Sequence, residues 1–354
     1  MHAFLLVNTE ISDKSVATFD RLLRSAIFCG LLVLLCVIVA FVCRPRFGGA
    51  MGDPWVGYFR QEPHSVEIIS VGNALSECGW QPQFAWKKQG VISWNLGADA
   101  LSAQGCPQYI KAALTTQEPK IILVEISPFF SRQSAAGSEE ESFRLDEQRF
   151  NRCYPFLQGK DDFFAQYRPS EWSVELLPLL CYMQDKNGVT FQKAKNILRT
   201  RERECRGGSL PASSFFSENL KGKIPTTVMS RAADETAFKE HQDSLSATIR
   251  LCKRSNIKLL MWEAPSESAS ASNRVEIIQS FVARNIPKTQ SFINYVSFVK
   301  SGDDTNDFQN NECITDRLLR ESGALVKLRN QRGNSKLSRR WDKYAQVSLH
   351  APGK

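Results

Sequence analysis

A parallel α/β sandwich, its five-stranded sheet covered by helices on both faces, is the fold class this sequence predicts. Three observations carry it. Five short runs of β-branched and apolar residues recur along the chain, helical periodicity fills the intervals between them, and the first two runs each end in glycine.

The first run, 66–71, ends at Gly72, and the second, 90–96, ends at Gly97. Between them, 82–89 reads as a short helix. After Gly97, the residues Cys106, Ile110, Ala113 and Leu114 share one helical face, and the third run, 120–126, is almost continuously apolar, as a strand covered on both sides requires. Phe238, Leu245, Ile249 and Cys252 keep helical spacing and lead into a fourth run, 257–262. A helix over 273–284 precedes the fifth run, 292–296, and a last helix is expected over 316–328. Right-handed crossovers place the site of such a sheet beyond the C-terminal ends of its strands, where the loops after Val71, Leu96, Ile126 and Val296 converge.

Residues 127–232 interrupt this rhythm. They hold an acidic stretch (Glu139, Glu140, Glu141), aromatic residues including Phe156, Phe163, Trp172 and Tyr182, and the basic run Arg199, Arg201 and Arg203. A connection of that length reads as a helical insertion capping the strand ends.

One transmembrane helix is predicted ahead of the sheet. Residues 25–43 contain no charge and no proline, enough to cross a hydrocarbon core of about 30 Å. The run is longer than the apolar core of a signal peptide, about 7–15 residues. Residues 1–24 then form a cytoplasmic tail, 44–64 a linker rich in Gly, Pro and Arg, and 65–328 the extracytoplasmic domain. Lys14, Arg21 and Arg24 precede the span while Arg44, Arg46 and Arg60 follow it, so orientation rests on the short leading tail rather than on a charge bias.

The formal charge of +8 divides by position. Residues 1–24 are neutral. From Arg329 onward, Arg329, Arg332, Lys336, Arg339, Arg340, Lys343 and Lys354 stand against Asp342, giving a basic C-terminal tail, 329–354, of +6. Anionic lipid or an anionic envelope polymer is a partner for such a tail. Nucleic acid is not, because the basic residues are not interleaved with stacking aromatics. Of ten cysteines, Cys29, Cys36 and Cys43 fall in the span and an odd seven lie outside it; none has zinc-ligand spacing, and no metal is expected. No phosphate or dinucleotide loop is present, so no cofactor is expected either. A mean hydropathy of -0.29 excludes a polytopic membrane protein.

The order of strand, glycine turn, strand ending in Asn95-Leu96-Gly97, and late segment beginning Asp307-Phe308 resembles the SGNH/GDSL hydrolase-like superfamily. Within it, the resemblance is to membrane-anchored extracytoplasmic bacterial proteins that accompany membrane-bound O-acyltransferases in modifying teichoic acids or exopolysaccharides. It covers roughly residues 60–126 and 235–345, with 91–98 its most specific part. It implies a serine nucleophile after the first strand, an oxyanion hole of backbone N–H groups and a glycine after the second, and a late Asp-x-x-His. A hydroxyl needs a base within reach, and the base needs an orienting carboxylate.

Mapped onto this sequence, the nucleophile position is Ala74, the acid position Asn310 and the base position Cys313, while Gly72, Asn73 and Gly97 stand at oxyanion-like positions. The triad is therefore degenerate. The resemblance then implies a non-catalytic binding or scaffold component whose partner is a membrane-bound O-acyltransferase or an envelope polysaccharide. The alternative is an active acyl esterase or O-acyltransferase with a nonstandard nucleophile, Ser76 or Cys313. Histidine offers no obvious base: His2 and His350 lie near the ends, His64 reads as a linker residue and His241 as part of a polar helix face. Trp80, Trp86 and Trp94 read either as core residues or as the lining of a sugar site.

Overall fold

A computed structural model describes residues 18–19, 21–35, 54–98, 101–130, 203–210, 230–266, 270–299, 311–322, 339–342 and 344. Helix α1, residues 21–35, belongs to a unit separate from the sheet domain. Its apolar side chains, among them Leu22, Ile27, Phe28, Leu31, Val33 and Leu34, are exposed on every side. Among the described residues no helix is long and apolar enough to cross a membrane; positions 36–43 of the expected span, and the tail 1–17, lie outside them.

The sheet domain holds α2 (Pro54–Tyr58), β1 (Ile68–Val71), α3 (Ala74–Gly79), α4 (Pro82–Gln89), β2 (Ser93–Asn95), α5 (Gly105–Ala113), β3 (Ile121–Glu125), a 3₁₀ turn (Ser127–Phe130), α6 (Arg231–Arg254), β4 (Lys258–Ser266), α7 (Ser270–Asn285), β5 (Ile293–Val299) and α8 (Asn311–Ser322). The strands lie in the order β2-β1-β3-β4-β5. All four pairings are parallel, with Ile69 opposite Trp94 and Ile122, and Leu123 opposite Leu260.

Alternation along these strands feeds two apolar layers. Ile69, Val71, Ile122, Val124, Leu259 and Met261 face Ile110 of α5, Leu245 and Ile249 of α6, and Ile278 and Val282 of α7. Ile68, Ile121, Leu123, Leu260 and Trp262 face Trp80, Ala85, and Ile314 and Leu318 of α8. Burial on both faces is why the central strands read as unbroken apolar runs. The expected helix over 82–89 is α4, started by Pro82 and stopped by Gly90 in a left-handed conformation (φ 69°). The last helix lies nearer the N-terminus than its spacing suggested.

Three stretches read as peripheral belong to the body of the domain. Within the expected linker, α2 buries Trp55 and Tyr58. Tyr58 Oη donates to Ala113 O at 2.8 Å, and Trp94 Nε1 donates to Pro54 O at 2.9 Å. Aromatic burial here outweighs the Gly, Pro and Arg content that suggested a tether.

Residues 203–210, near the end of the expected insertion, close the outer edge of β2. Asn95 N donates to Gly207 O at 2.8 Å and Leu210 N to Glu77 O at 2.9 Å. At Gly208 (φ +86°), a Cβ would lie 2.1 Å from Asn95 O. Only glycine permits that approach. Arg203 is fixed by a 2.7 Å ion pair to Glu77, their side chains 3% and 6% exposed, and donates to Gly97 O at 3.0 Å and Gly208 O at 2.6 Å.

The tail is likewise anchored. Trp341 is fully buried, its ring 6.2 Å from both Trp86 and Trp94. Trp86 Nε1 donates to Asp342 Oδ1 at 3.0 Å, and Gln83 Nε2 donates to Tyr344 O at 3.1 Å. One buried indole outweighs the solvation of the charges around it.

Removing one member of a buried ion pair strands the other in a medium that solvates it poorly. Arg203→Met is expected to lower unfolding stability by about 3–5 kcal/mol, and Arg203→Met with Glu77→Leu to recover most of that, as read by urea denaturation. Equal losses in the single and double variants would refute the pairing.

Candidate functional site

In the order β2-β1-β3-β4-β5 the chain reverses direction across the sheet between β1 and β3, and the crevice outside their C-terminal ends is where ligands of doubly wound folds bind. Asn73 stands there. Its Oδ1 accepts from Leu75 N at 2.9 Å, capping α3, while its Nδ2 donates to Ser127 Oγ. Ser127 in turn donates to Glu125 twice, from Oγ to Oε2 at 2.7 Å and from N to Oε1 at 2.9 Å. One chain of hydrogen bonds thus ties the loop after β1 to the end of β3. Gly72 has no room for a side chain: a Cβ would sit 2.5 Å from Glu125 Cβ and 2.8 Å from Ser76 Cβ.

A second group adjoins the first at the end of β4. Arg274 of α7 meets Asp234 Oδ1 at 3.2 Å and Glu263 Oε1 at 3.6 Å, with its guanidinium 5.3 Å from the centre of the Phe130 ring. Phe130 stacks on Phe238 at 5.4 Å. Glu125, Asp234 and Glu263 are all buried, and among the described residues Asp234 Oδ2 and Glu263 Oε2 have no hydrogen-bond partner. A single guanidinium cannot neutralise three carboxylates. Burial pushes the Glu263 carboxyl up to about 9, Arg274 opposing and the charges of Glu125 and Asp234 reinforcing. Burial also raises Glu125, against the hydrogen bonds from Ser127 and Asn73 and the charge of Arg274. At neutral pH Glu263 is therefore a carboxylic acid, able to donate a hydrogen bond. Among the described residues no group of three or more His, Cys, Asp or Glu side chains is arranged to hold a metal.

Of the residues predicted from sequence, Gly72, Asn73, Ser76 and Gly97 come together. Ala98 N donates to Gly72 O at 3.0 Å, joining the loops after β1 and β2. Gly97 N donates to Asn95 Oδ1 at 2.8 Å. A backbone amide has one hydrogen, so this N–H is committed inward. Ser76 is fully buried, its Oγ 3.0 Å from Ser70 Oγ. Ala74 is the first residue of α3, and Cys313 falls in the first turn of α8. That turn docks through Thr315, which accepts from Gln81 N at 2.9 Å and donates to Gly79 O at 3.1 Å, at the end of α3 opposite Ala74. Asn310 lies outside the described residues.

His241 is buried, not on a polar face. His64, at φ 58°, is exposed and 3.3 Å from Glu118. The three early tryptophans are core residues: Trp80 Nε1 donates to Ser93 Oγ at 3.2 Å, and those of Trp86 and Trp94 are likewise satisfied inside. Burial pushes the Cys78 and Cys252 thiols up to about 12, far from a reactive thiolate.

Sequence reasoning missed Glu125, Ser127, Asp234, Glu263 and Arg274. The signal was present in part: β3 and β4 each carry four apolar residues followed by glutamate, Ile-Ile-Leu-Val-Glu125 and Leu-Leu-Met-Trp-Glu263. No protein-family profile, curated protein or solved structure matches the chain.

The acid cluster gives stability a definite pH dependence. Glu263 binds its proton more tightly folded (about 9) than at its ordinary value near 4.5, so the native state holds more protons between these limits and loses stability as pH rises through them. Glu263→Gln is expected to lose less stability than wild type between pH 6 and pH 9, measured by urea midpoint; equal losses would show that Glu263 is already ionised at pH 6.

Proposed function

We propose that this chain is a single-pass, membrane-anchored protein with an extracytoplasmic SGNH-like domain that does not perform serine acyl chemistry. It acts as a binding or scaffold component in acyl modification of a cell-envelope polymer, with the polymer or a membrane-bound O-acyltransferase as partner. The strand order supports the fold part of this reading, since 2-1-3-4-5 is the flavodoxin-like order of doubly wound sheets, the class the resemblance implies. The exposed apolar surface of α1, continuing in sequence through Cys43, supports the anchor.

The observation that carries the non-catalytic reading is the state of Gly97. An oxyanion hole needs donors aimed at the developing charge, and the Gly97 N–H is spent on Asn95 Oδ1. Ala74 supplies no hydroxyl. Losing the members of a catalytic triad costs about 10⁴–10⁶ in rate. The buried hydroxyl of Ser76, held against Ser70, counts against the esterase alternative.

A fluorophosphonate probe and a p-nitrophenyl acetate assay test this on the purified full chain. Neither wild type nor Ala74→Ser is expected to label or to turn over ester above the buffer rate. Stoichiometric labelling of wild type at Ser76, or ester turnover abolished by Ser76→Ala or Cys313→Ala, would overturn the proposal.

A further inference from the structure

We infer that the seam where α7 meets α6 and β4 is a proton-operated latch: a proton kept on its buried carboxyls holds it shut, and losing that proton frees the first turns of α7. Every element packed at the seam contributes a group.

Glu125 comes from β3, Asp234 from α6, Glu263 from β4 and Arg274 from α7, while the 3₁₀ turn lays the Phe130 ring against the guanidinium. From β5 come only hydroxyls. Ser297 stands opposite Glu263 in the register, and Tyr295, its phenol pushed up to about 12 by burial, lies two positions earlier on the same face. At the rim, Arg231 of α6 meets Glu235 and Glu276, all three exposed.

Inside the seam, among the described residues, three carboxyls face one cation, and full ionisation would leave two negative charges without a counter-charge. The Asp234 side chain is 0% exposed and that of Glu263 4%, so water cannot make up the difference. A proton can. Arg274 engages Asp234 Oδ1 and Glu263 Oε1, which leaves one oxygen of each carboxyl to hold it.

Ionisation strikes the start of α7 and spares the rest. Arg274 is the fifth residue of that helix, and beyond it Val275, Ile278, Phe281 and Val282 pack into the apolar layer, with Phe281 edge-on to Phe238 at 5.3 Å. On the other side of Arg274, the β4–β5 register shifts between Glu263 and Ser266, so the ladder is interrupted just before β4 gives way to α7. A segment with so few ladder bonds opens at lower cost than the core.

Pulse-labelled hydrogen exchange of the full chain in detergent micelles at pH 7 and pH 10, each rate divided by the intrinsic rate at that pH, tests the latch. Protection across 270–285 is expected to fall at least about tenfold between the two, while β1 and β3 keep theirs. In Glu263→Gln the fall should shrink below about threefold, and in Glu276→Gln, which touches only the rim pair, it should persist. Unchanged protection in wild type, a tenfold fall retained in Glu263→Gln, or an equal fall in β1 and β3 would overturn the latch. If Glu263→Gln does not fold, Asp234→Asn takes its place with the same expected and contrary results.

Discussion

The side chain of Asn95 is the interaction on which the C-terminal end of the sheet depends. Its Nδ2 donates to Ser76 O at 2.7 Å, Trp80 O at 2.8 Å and Glu77 O at 3.2 Å, and its Oδ1 accepts from Gly97 N at 2.8 Å. A helix of six residues leaves most of its last carbonyls without intrahelical partners. One carboxamide at the end of β2 takes up two carbonyls of α3, Ser76 O and Glu77 O, with Trp80 O just beyond it, and fixes the following turn in the same act. Gly97 must then be glycine, because a Cβ would sit 2.6 Å from Glu77 N. Arg203 completes the unit by bonding Gly97 O and Glu77, which couples the β1 and β2 loops to the segment on the sheet edge.

This locking separates the two halves of the strand-end surface. On the β2 side, the Gly97 N–H is turned inward onto Asn95 and the Ser76 hydroxyl is buried. On the β3 and β4 side, polar groups gather at the reversal of chain order, where Asn73, Ser127 and Glu125 form one hydrogen-bonded chain and Arg274 draws Asp234 and Glu263 together. Burial forces a proton onto Glu263, so this half carries fewer charges at neutral pH than its composition implies. Polar groups held in a fixed constellation suit recognition, in keeping with the binding role proposed above.

The sheet was legible in the sequence because its signals are local. Apolar runs located all five strands, glycine closing the first two, and Pro82 with Gly90 bounded α4. What escaped depends on partners distant along the chain. Trp341 is buried by Trp86 and Trp94, some 250 positions earlier, so the charges around it suggested a solvated tail. Arg203 sat in a basic run, and nothing local revealed that Glu77 would accept it in the core. Glu125 and Glu263 ended apolar runs in plain view, but their meaning required Arg274, brought in by a different helix. The positions named by resemblance were legible as positions; the direction of the Gly97 N–H was not, because it follows from a side chain two residues away.

Amide hydrogen exchange at Gly97 tests the central claim most directly. If its N–H is held by Asn95 as described, the wild-type amide exchanges only through global unfolding, with a protection factor matching those of the β1 and β3 core amides. Fast exchange at Gly97 while those core amides stay protected would mean that the donor is open at the surface, and the non-catalytic reading would lose its support.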